Sequence, residues 1–373
     1  MKICFFIAEM SGFGGTQRAS VTIANSLSAI PEVSEVIMLG LMGSADSDFP
    51  IHDRVRRASL FPRRLQMTHR YALAIYRLRK FIRSHSIDVL VIVESSLALF
   101  AIPAGIGFST RLICWEHFNF LVDVGRKKRT LARHLAALFS DDVVTLTERD
   151  QSIWRRKTLA RANICAIANP SAKLPFERIY PEKSKTVLAV GRLSYQKGFD
   201  ILIESWAHVV KRNICGDWKL VIVGSGELQQ EIERQIQESG LRSSVSIRPA
   251  TIDINSEYDH AAIVCCSSRY EGLPMVLIEA QQHGVPVVSF DIDTGPREII
   301  VDNETGVLVP AGDPAALADA LCALMLDESR RREMSTNAVL NGARFDTDVI
   351  MERWCRLLAL PSPASGLTAR GAV

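Results

Sequence analysis

Short apolar runs alternate with longer segments of helical periodicity along most of the chain. Runs of this kind are typical of strands buried on both faces, and their alternation with helices predicts a parallel sheet covered by helices. In the first half, the predicted strands lie at 2–8, 35–39, 89–93, 112–115 and 143–146. The predicted helices of this half lie at 16–29, 69–84, 127–139 and 148–158.

The alternation stops around 169–185, where Pro170, Pro175 and Pro181 predict a linker, and then resumes. The strands predicted after it lie at 186–190, 219–223, 245–247, 262–265 and 286–289. The helices lie at 199–210, 228–239, 275–283, 314–326 and 330–342. We therefore predict an α/β protein with two Rossmann-like domains, at 1–168 and 186–343. A C-terminal helix at 344–360 is expected to cross back to the first domain, and a tail at 361–373 to be disordered.

The composition is that of a globular protein, and the chain is long enough to form two hydrophobic cores. The chain has 373 residues, of which 47% are hydrophobic and 23% charged. No segment has the pattern expected of a membrane-spanning helix. The N-terminus begins with a strand-like run and lacks the pattern of a cleavable signal peptide. The eight cysteines lack CxxC spacing, so we expect a reducing cytoplasmic compartment and no structural zinc.

Positive charge is concentrated in the first half of the chain. Residues 1–168 carry 23 Lys and Arg against 14 Asp and Glu, and ten basic residues but no acid lie from Arg54 to Arg83. This basic segment is either an ordinary solvated face or a surface for anionic lipid or a polyphosphate-linked substrate. A nucleic-acid partner is not expected, because the sequence contains no nucleic-acid-binding motif.

The segment SRYEGLPMVLIE at 268–279 places two carboxylates, Glu271 and Glu279, about two helical turns apart. Glu271 is predicted in the loop before a helix whose first-turn amides can bind phosphate. The carboxylates can accept hydrogen bonds from sugar or ribose hydroxyls. The alternative is a capped surface helix with incidental glutamates.

Glycine-rich and basic loops follow other predicted strands. Gly14 and Gly15 precede a helix after the first strand, but Gln17 replaces the third glycine of a dinucleotide fingerprint, which argues against NAD. Arg192 and Lys197 lie in the loop after the first strand of the second domain. Such a pair can bind a diphosphate, unless it belongs to a solvated turn.

Together these segments resemble the retaining glycosyltransferases of the GT-B fold, in glycosyltransferase family 4, which build bacterial surface glycans. The resemblance covers nearly the whole chain. Its motifs are Gly14-Gly15, GRLSYQKG at 191–198, VGSGE at 223–227, Glu271 with Glu279, and TGPREII at 294–300. The segment WEHFN at 115–119 further resembles members that extend polyprenyl-diphosphate-linked oligosaccharides.

The resemblance implies a role for each matched residue. Arg192 and Lys197 would hold the donor diphosphate, Glu279 the ribose hydroxyls, and Glu271 the hydroxyls of the transferred sugar. His117 would contact the donor sugar, and Arg248 the base. The backbone would approach the donor at Gly14, Gly15, Gly224, Gly272, Leu273, Pro274 and Val276.

The implied reaction moves a hexose or N-acetylhexosamine from a nucleotide-sugar, expected to be a UDP-sugar, to a lipid-linked or polysaccharide acceptor. The nucleotide-sugar is a substrate, and no cofactor or metal is expected. Asp291-Ile292-Asp293 matches the DxD metal motif of another transferase fold, and we interpret it as a coincidence. The alternatives are a nucleotide-sugar epimerase on the same fold and a non-catalytic glycan-binding module.

Overall fold

The structure, a computed structural model, describes residues 1–12, 14–64, 70–123, 127–171, 180–213, 216–251 and 253–361. The chain divides into two compact units. The first unit contains Met1–Pro170 and the C-terminal segment that begins at Thr347, and the second contains Ser171–Asp346. Residues 172–179 of the predicted linker and residues 362–373 of the predicted tail lie outside the described residues.

The first unit is built on a seven-stranded, all-parallel sheet with the order β3-β2-β1-β4-β5-β6-β7. The strands are β1 (Lys2–Ile7), β2 (Glu35–Met42), β3 (Val55–Phe61), β4 (Val89–Val93), β5 (Arg111–Trp115), β6 (Asp142–Thr145) and β7 (Asn163–Ala166). The helices are α1 (Gly15–Ser28), α2 (Tyr71–His85), α3 (Ala98–Gly105), α4 (Lys127–Phe139) and α5 (Glu148–Lys157). The central strand β4 is buried along its whole length, which explains its unbroken apolar sequence.

The second unit has a six-stranded, all-parallel sheet with the order β10-β9-β8-β11-β12-β13. The strands are β8 (Thr186–Val190), β9 (Lys219–Val223), β10 (Val245–Arg248), β11 (Ile263–Cys266), β12 (Val287–Asp291) and β13 (Gly306–Pro310). The helices are α6 (Phe199–Lys211), α7 (Gln229–Glu238), α8 (Ile254–Asp259), α9 (Met275–Gln282), α10 (Pro296–Ile299), α11 (Pro314–Leu326) and α12 (Glu328–Gly342).

The last helix, α13 (Thr347–Leu358), belongs to the first unit. Its Trp354 is fully buried against Trp115 at the end of β5, with the ring centroids 4.9 Å apart in an edge-to-face arrangement. The chain therefore returns to the first sheet after completing the second, as the sequence led us to expect. None of the described helices is both long and apolar enough to cross a membrane.

The prediction of two parallel sheets with helices is confirmed, although several short elements were missed. Strand β3 was not predicted because its sequence VRRASLF places arginines at an exposed sheet edge. Helix α3 was not predicted because it contains Pro103, a residue that usually interrupts a helix. The edge strands β7 and β13 and the short helices α8 and α10 were also not predicted.

The strand orders locate one ligand-binding position in each sheet. Ligands of open parallel sheets bind at the carboxyl ends of the strands, where the strand order reverses direction. This point lies between β1 and β4 in the first sheet and between β8 and β11 in the second. The loops that follow these four strands contain most of the predicted site residues.

Candidate functional site

In the second unit, the loops after β8 and β11 are joined by an ion pair between Lys197 and Glu271. The Lys197 Nζ lies 2.6 Å from the Glu271 Oε1, and both side chains are largely buried. The two residues are 74 positions apart in the sequence, and only the adjacency of β8 and β11 brings them together. The structure thus places a cation and a carboxylate at the position where this sheet is expected to bind a ligand.

Neighbouring polar groups fix the orientation of Glu271. The Ser268 hydroxyl donates to its Oε1 at 2.8 Å, and the Gln196 amide donates to its Oε2 at 3.2 Å. The Thr294 hydroxyl donates to the Glu271 backbone carbonyl at 2.6 Å. A side chain held in this way keeps its geometry when a ligand binds, which favours precise positioning of a substrate.

The ammonium of Lys197 remains protonated despite its surroundings. Burial is the largest single influence and lowers its pKa, but the charge and hydrogen bond of Glu271, together with the charges of Cys266 and Glu279, outweigh burial, so the pKa lies above its usual value. Lys197 is therefore a permanent positive charge near neutral pH. A fixed cation of this kind can neutralise a developing phosphate charge.

Glu279 lies on α9 and is held by a tyrosine from α8. The Tyr258 hydroxyl donates to the Glu279 Oε2 at 2.9 Å, and the tyrosine itself is fully buried. Glu279 also contributes to the electrostatic environment of Lys197, so the two acidic residues and the lysine share one neighbourhood. Lys197 and Glu271 are therefore in direct contact, Glu279 lies on the helix that follows the Glu271 loop, and the roles of these residues remain predictions.

Two glycines are required because backbone segments approach each other closely. A β-carbon at Gly224 would overlap the carbonyl oxygen of Gly191, where the loops after β8 and β9 pack together. Gly198 has φ of 63°, and a β-carbon there would overlap the carbonyl oxygen of Ser267. Gly198 therefore allows the Lys197 loop to lie directly against the loop that follows β11.

The structure does not bring the two predicted arginines into this cluster. Arg192 is exposed, and within the described residues it has no ion pair. Arg248, at the end of β10, is exposed and donates two hydrogen bonds to Glu257, at 2.8 and 3.1 Å. Both arginines remain in loops at the carboxyl ends of strands, and their proposed contacts with the donor stay predictions.

The backbone segment that contains Gly272, Leu273 and Pro274 leads directly into α9. Pro274 is the N-cap, and α9 begins at Met275 with Val276 in its first turn. No side chain caps this end, and the Leu277 amide donates to the Pro274 carbonyl, so the amides of Met275 and Val276 are the first-turn amides without an intrahelical acceptor. These amides are the atoms expected to approach a phosphate.

The predicted glycine loop of the first unit also leads into a helix. Gly14 is the N-cap of α1, Gly15 is its first residue, and no side chain caps the helix. The loop follows β1, one of the two strands at the point where the strand order reverses. The amides of Gly15 and its neighbours are therefore placed to meet a ligand of this unit.

His117 follows β5 and is 7% exposed. Its ring packs on Trp115 with centroids 4.4 Å apart, while its Nε2 has no hydrogen-bond partner in the part of the chain that the structure describes. Burial lowers the pKa of His117 to about 3, so the imidazole is neutral at physiological pH. His117 can thus accept or donate one hydrogen bond to a ligand, but it does not supply a positive charge.

A buried ion pair fixes the loop that carries His117. The Arg133 Nε donates to the Glu116 Oε2 at 3.0 Å, and both side chains are almost fully buried. Arg133 also donates to the carbonyl oxygens of Asn119, Phe120 and Val122. Glu116 accepts hydrogen bonds from the amides of His117 and Phe118. This arrangement holds the loop in one conformation.

The DxD sequence does not form a group of metal ligands. Asp291 pairs with the guanidinium of Arg297, and Asp293 is exposed. No cluster of three or more His, Cys, Asp or Glu side chains suited to a metal occurs among the described residues.

Comparison with known proteins shows the family. The model of the family "Glycosyl transferases group 1" matches residues 171–340. An uncharacterized glycosyltransferase of Haemophilus influenzae is 30% identical over 96% of this chain and 99% of its own length. This chain therefore belongs to the group 1 glycosyltransferases and is a glycosyltransferase enzyme.

A second relative and a solved structure give further information on substrates and fold. The relative, from Campylobacter jejuni, is a GalNAc-alpha-(1->4)-GalNAc-alpha-(1->3)-diNAcBac-PP-undecaprenol alpha-1,4-N-acetyl-D-galactosaminyltransferase. It is 31% identical over 96% of this chain and 98% of its own. The structure of Anabaena HepE in complex with UDP-glucose superposes with a TM-score of 0.79 at 18% identity, covering 96% of this chain and 99% of that one. The fold is accordingly GT-B.

Proposed function

We propose that the protein is a retaining glycosyltransferase of family 4 that uses a UDP-sugar as donor. The acceptor is a lipid-linked oligosaccharide or surface polysaccharide, and the transferred group is a hexose or N-acetylhexosamine. The observation that carries this proposal is the cluster of Lys197, Glu271 and Glu279 at the carboxyl ends of β8 and β11. The UDP-glucose in the Anabaena structure and the diphosphate-linked acceptor named for the Campylobacter relative support the two substrate classes.

The residue types suit the chemistry of this reaction. Breaking the bond between the anomeric carbon and the leaving oxygen places negative charge on the diphosphate and cationic character on the sugar ring. The Lys197 ammonium and the first-turn amides of α9 would stabilise the diphosphate, and no metal is needed to supply that charge. Glu271 would bind hydroxyls of the transferred sugar, and Glu279 those of the ribose. His117, from the first unit, would contact the donor sugar.

Retention is proposed to proceed by displacement on one face of the sugar. The acceptor hydroxyl forms the new bond to the anomeric carbon as the bond to the leaving diphosphate breaks. A phosphate oxygen of the leaving group takes the proton of that hydroxyl, so no carboxylate nucleophile is required. Glu271 fits this scheme, because its oxygens already accept hydrogen bonds from Lys197, Ser268 and Gln196.

A panel of UDP-, GDP- and ADP-sugars, scored by release of the nucleoside diphosphate, tests the proposed donor. The expected result is turnover of a UDP-sugar that increases when a lipid-linked acceptor is added. An anomeric configuration that is kept in the product, read by NMR, supports retention. Turnover with inversion would contradict the mechanism, and absence of turnover with every nucleotide-sugar would contradict the function.

Replacing Glu279 with glutamine is expected to raise the donor KM about tenfold, because an amide is a weaker acceptor for the ribose hydroxyls than a carboxylate. The kcat should change little, since the ribose is remote from the reacting bond. The matched control is Glu238→Gln, which removes an exposed carboxylate from α7 in the same unit. Equal effects of the two substitutions on the donor KM would contradict the role of Glu279.

We also propose that α2 docks on an anionic membrane surface. Fewer residues of the predicted basic segment are available for this contact than the sequence indicates, because several of them bind other groups of the same unit. Arg77 donates to the Leu60 carbonyl and stacks on Phe61, and Arg79 donates to the carbonyl oxygens of Ala104 and Ile106. These two arginines therefore stabilise the fold of the unit. Arg56 and Arg64 pair with Glu35 and Glu9.

The outer face of α2 retains both charge and apolar area. Leu73, Tyr76, Lys80 and Arg83 are exposed and lie on one helical face by their spacing, opposite the buried Ala74, Leu78 and Ile82. Tyr76 is 62% exposed. Aromatic and apolar side chains interleaved with basic ones are typical of helices that lie in the membrane interface.

Charge reversal of Lys80 and Arg83 to glutamate is expected to lower binding to phosphatidylglycerol vesicles at least about 30-fold, because each basic residue contributes about 1 kcal/mol near such a surface. The same double reversal at Arg156 and Lys157 changes the net charge of the same unit equally and serves as the control. Binding that responds equally to both variants would show that only net charge matters and would contradict docking by α2. Vesicle sedimentation measures both.

A further inference from the structure

Helix α4 contributes two arginines to two glutamates at the ends of neighbouring strands in the first unit. Arg133 pairs with Glu116 at the end of β5, and Arg129 pairs with Glu94 at the end of β4. The arginines are four residues apart and share one face of α4. The two pairs have the same chemistry, so their differences show what each one does.

All the nitrogens and oxygens of the charged groups in the Glu116–Arg133 pair already form hydrogen bonds. All three guanidinium nitrogens of Arg133 donate to protein oxygens, and both carboxylate oxygens of Glu116 accept. The pair is buried from solvent. This pair therefore stabilises the fold, and its charged groups are not available to bind a ligand.

The Glu94–Arg129 pair has unused capacity. The Arg129 Nη2 donates to the Glu94 Oε1 at 2.6 Å, but its Nε and Nη1 have no partner among the described residues although the side chain is 5% exposed. Glu94 is 20% exposed, and it accepts from Arg129 and Ser96 through Oε1 alone within this part of the chain. Buried donors without acceptors are costly, so such groups in a folded protein suggest an absent ligand.

The backbone at Glu94 is strained. Its φ is 82°, a left-handed conformation that costs a residue with a β-carbon about 1–3 kcal/mol. This strain occurs where β4 ends, at the reversal of strand order in the first sheet. Strain of this kind is concentrated at functional sites, and here it directs the Glu94 carboxylate toward Arg129.

Two further unpaired groups lie in the loop that carries Phe118. The guanidinium of Arg129 lies over the ring of Phe118, with its carbon 4.1 Å from the ring centroid. The residues on either side of Phe118 each have a buried nitrogen without a partner, the Nε2 of His117 and the Nδ2 of Asn119. The cluster therefore offers several donors together with one carboxylate oxygen.

The charge and donor pattern identify the ligand class. Among the described residues, the groups still available in this pair are the Nε and Nη1 donors of Arg129 and the Oε2 acceptor of Glu94, so donors and an acceptor lie side by side. A hydroxyl group both donates and accepts, and it can donate to Glu94 while accepting from Arg129 or Asn119. Neighbouring hydroxyl groups on a sugar ring provide both the donors and the acceptors that this arrangement requires.

We infer that Glu94 and Arg129, with Asn119 beside them, form a subsite that binds hydroxyl groups of a sugar ring. The inference rests on the proposed function for the source of the sugar, which is either the transferred residue or the terminal residue of the acceptor. Glu116 and Arg133 hold the loop that completes the subsite.

Kinetics of Glu94→Gln tests the subsite and separates the two sources. Glutamine keeps an oxygen for Arg129 but loses the carboxylate. The KM for one sugar substrate is expected to rise at least tenfold with a smaller change in kcat. A rise in the acceptor KM assigns the subsite to the acceptor, and a rise in the donor KM for hydrolysis without acceptor assigns it to the transferred sugar.

The matched control is Asp142→Asn, which removes a carboxylate paired with Arg111 at 2.7 Å at the amino ends of the same strands. It should change both KM values less than twofold. Arg129→Lys is the second variant, used if Glu94→Gln does not fold, since it keeps the charge but loses the planar donors. Values within twofold of wild type in a folded variant would overturn the inference.

Ligand-observed NMR with methyl glycosides tests the subsite without any nucleotide. Saturation-transfer signals are expected for at least one glycoside with the wild-type protein and Asp142→Asn, and at least a fivefold reduction with Glu94→Gln. No signal with wild type, or equal signals with all three proteins, would overturn the inference. Absence of nucleotide-sugar turnover would instead refute the proposed function while leaving this measurement interpretable.

Discussion

Replacing Lys197 with alanine is expected to lower the kcat about 10²-fold or more at saturating donor, because one preorganised positive charge at the leaving group is lost. The loss should appear in kcat rather than only in the donor KM, since the negative charge grows as the bond to the diphosphate breaks. Steady-state kinetics with the preferred nucleotide-sugar measures it.

The ion pair with Glu271 complicates this variant, and a second substitution resolves the complication. Alanine at position 197 leaves the carboxylate of Glu271 buried without its cation, which is expected to destabilise the second unit by about 3–5 kcal/mol. Adding Glu271→Gln removes the unpaired charge and should restore much of that stability, as followed by urea unfolding. The kcat should stay low in the double variant. Recovery of both stability and kcat would show that Lys197 serves only the fold.

Replacing Trp354 with alanine is expected to destabilise the first unit by about 3–5 kcal/mol, because it leaves a large cavity in a fully buried position. The cavity would lie beside Trp115, which also packs on His117, so the loop at the end of β5 should also loosen. Urea unfolding followed by hydrogen exchange in β5 measures the effect.

Trp354→Phe is the control for this variant. The indole nitrogen of Trp354 has no hydrogen-bond partner among the described residues, so phenylalanine loses area but no hydrogen bond. It should cost clearly less than alanine. A change below about 1 kcal/mol for Trp354→Ala would contradict the packing of α13 against the first sheet.

The sequence was sufficient for the main features of the fold because parallel strands have a strong signature. Strands such as β4 and β9 are almost entirely apolar and are flanked by helices with clear periodicity. Edge strands such as β3 give a weaker signal, because one side of each faces solvent and its composition resembles a loop. Short polar helices such as α8 give almost none.

The candidate site could be predicted only in part. Lys197 and Glu271 were found because residues in loops after adjacent parallel strands meet at one edge of a sheet. The contact of Tyr258 with Glu279 could not be found, since Tyr258 lies in the short helix α8 and its partner is fixed by tertiary packing. Glu94 gave no sequence signal, because its role depends on a backbone angle and on a pairing with α4.

The basic segment shows a second limit of sequence reasoning. Arg77 and Arg79 were interpreted as surface charge, yet their guanidinium groups stack on phenylalanines and donate to backbone carbonyls. Arginine can pack its planar group against aromatic rings, so a run of basic residues does not establish how many charges face solvent. Lys80 and Arg83 are the basic residues of α2 that lie on its outer face.

A crystal structure of the protein with a bound UDP-sugar is the most direct test of the site in the second unit. We predict a diphosphate oxygen within about 3 Å of the Lys197 Nζ and ribose hydroxyls within the same distance of the Glu279 carboxylate. The first-turn amides of α9 should face the same diphosphate. A UDP-sugar bound with its diphosphate away from Lys197 and its ribose away from Glu279 would contradict the account.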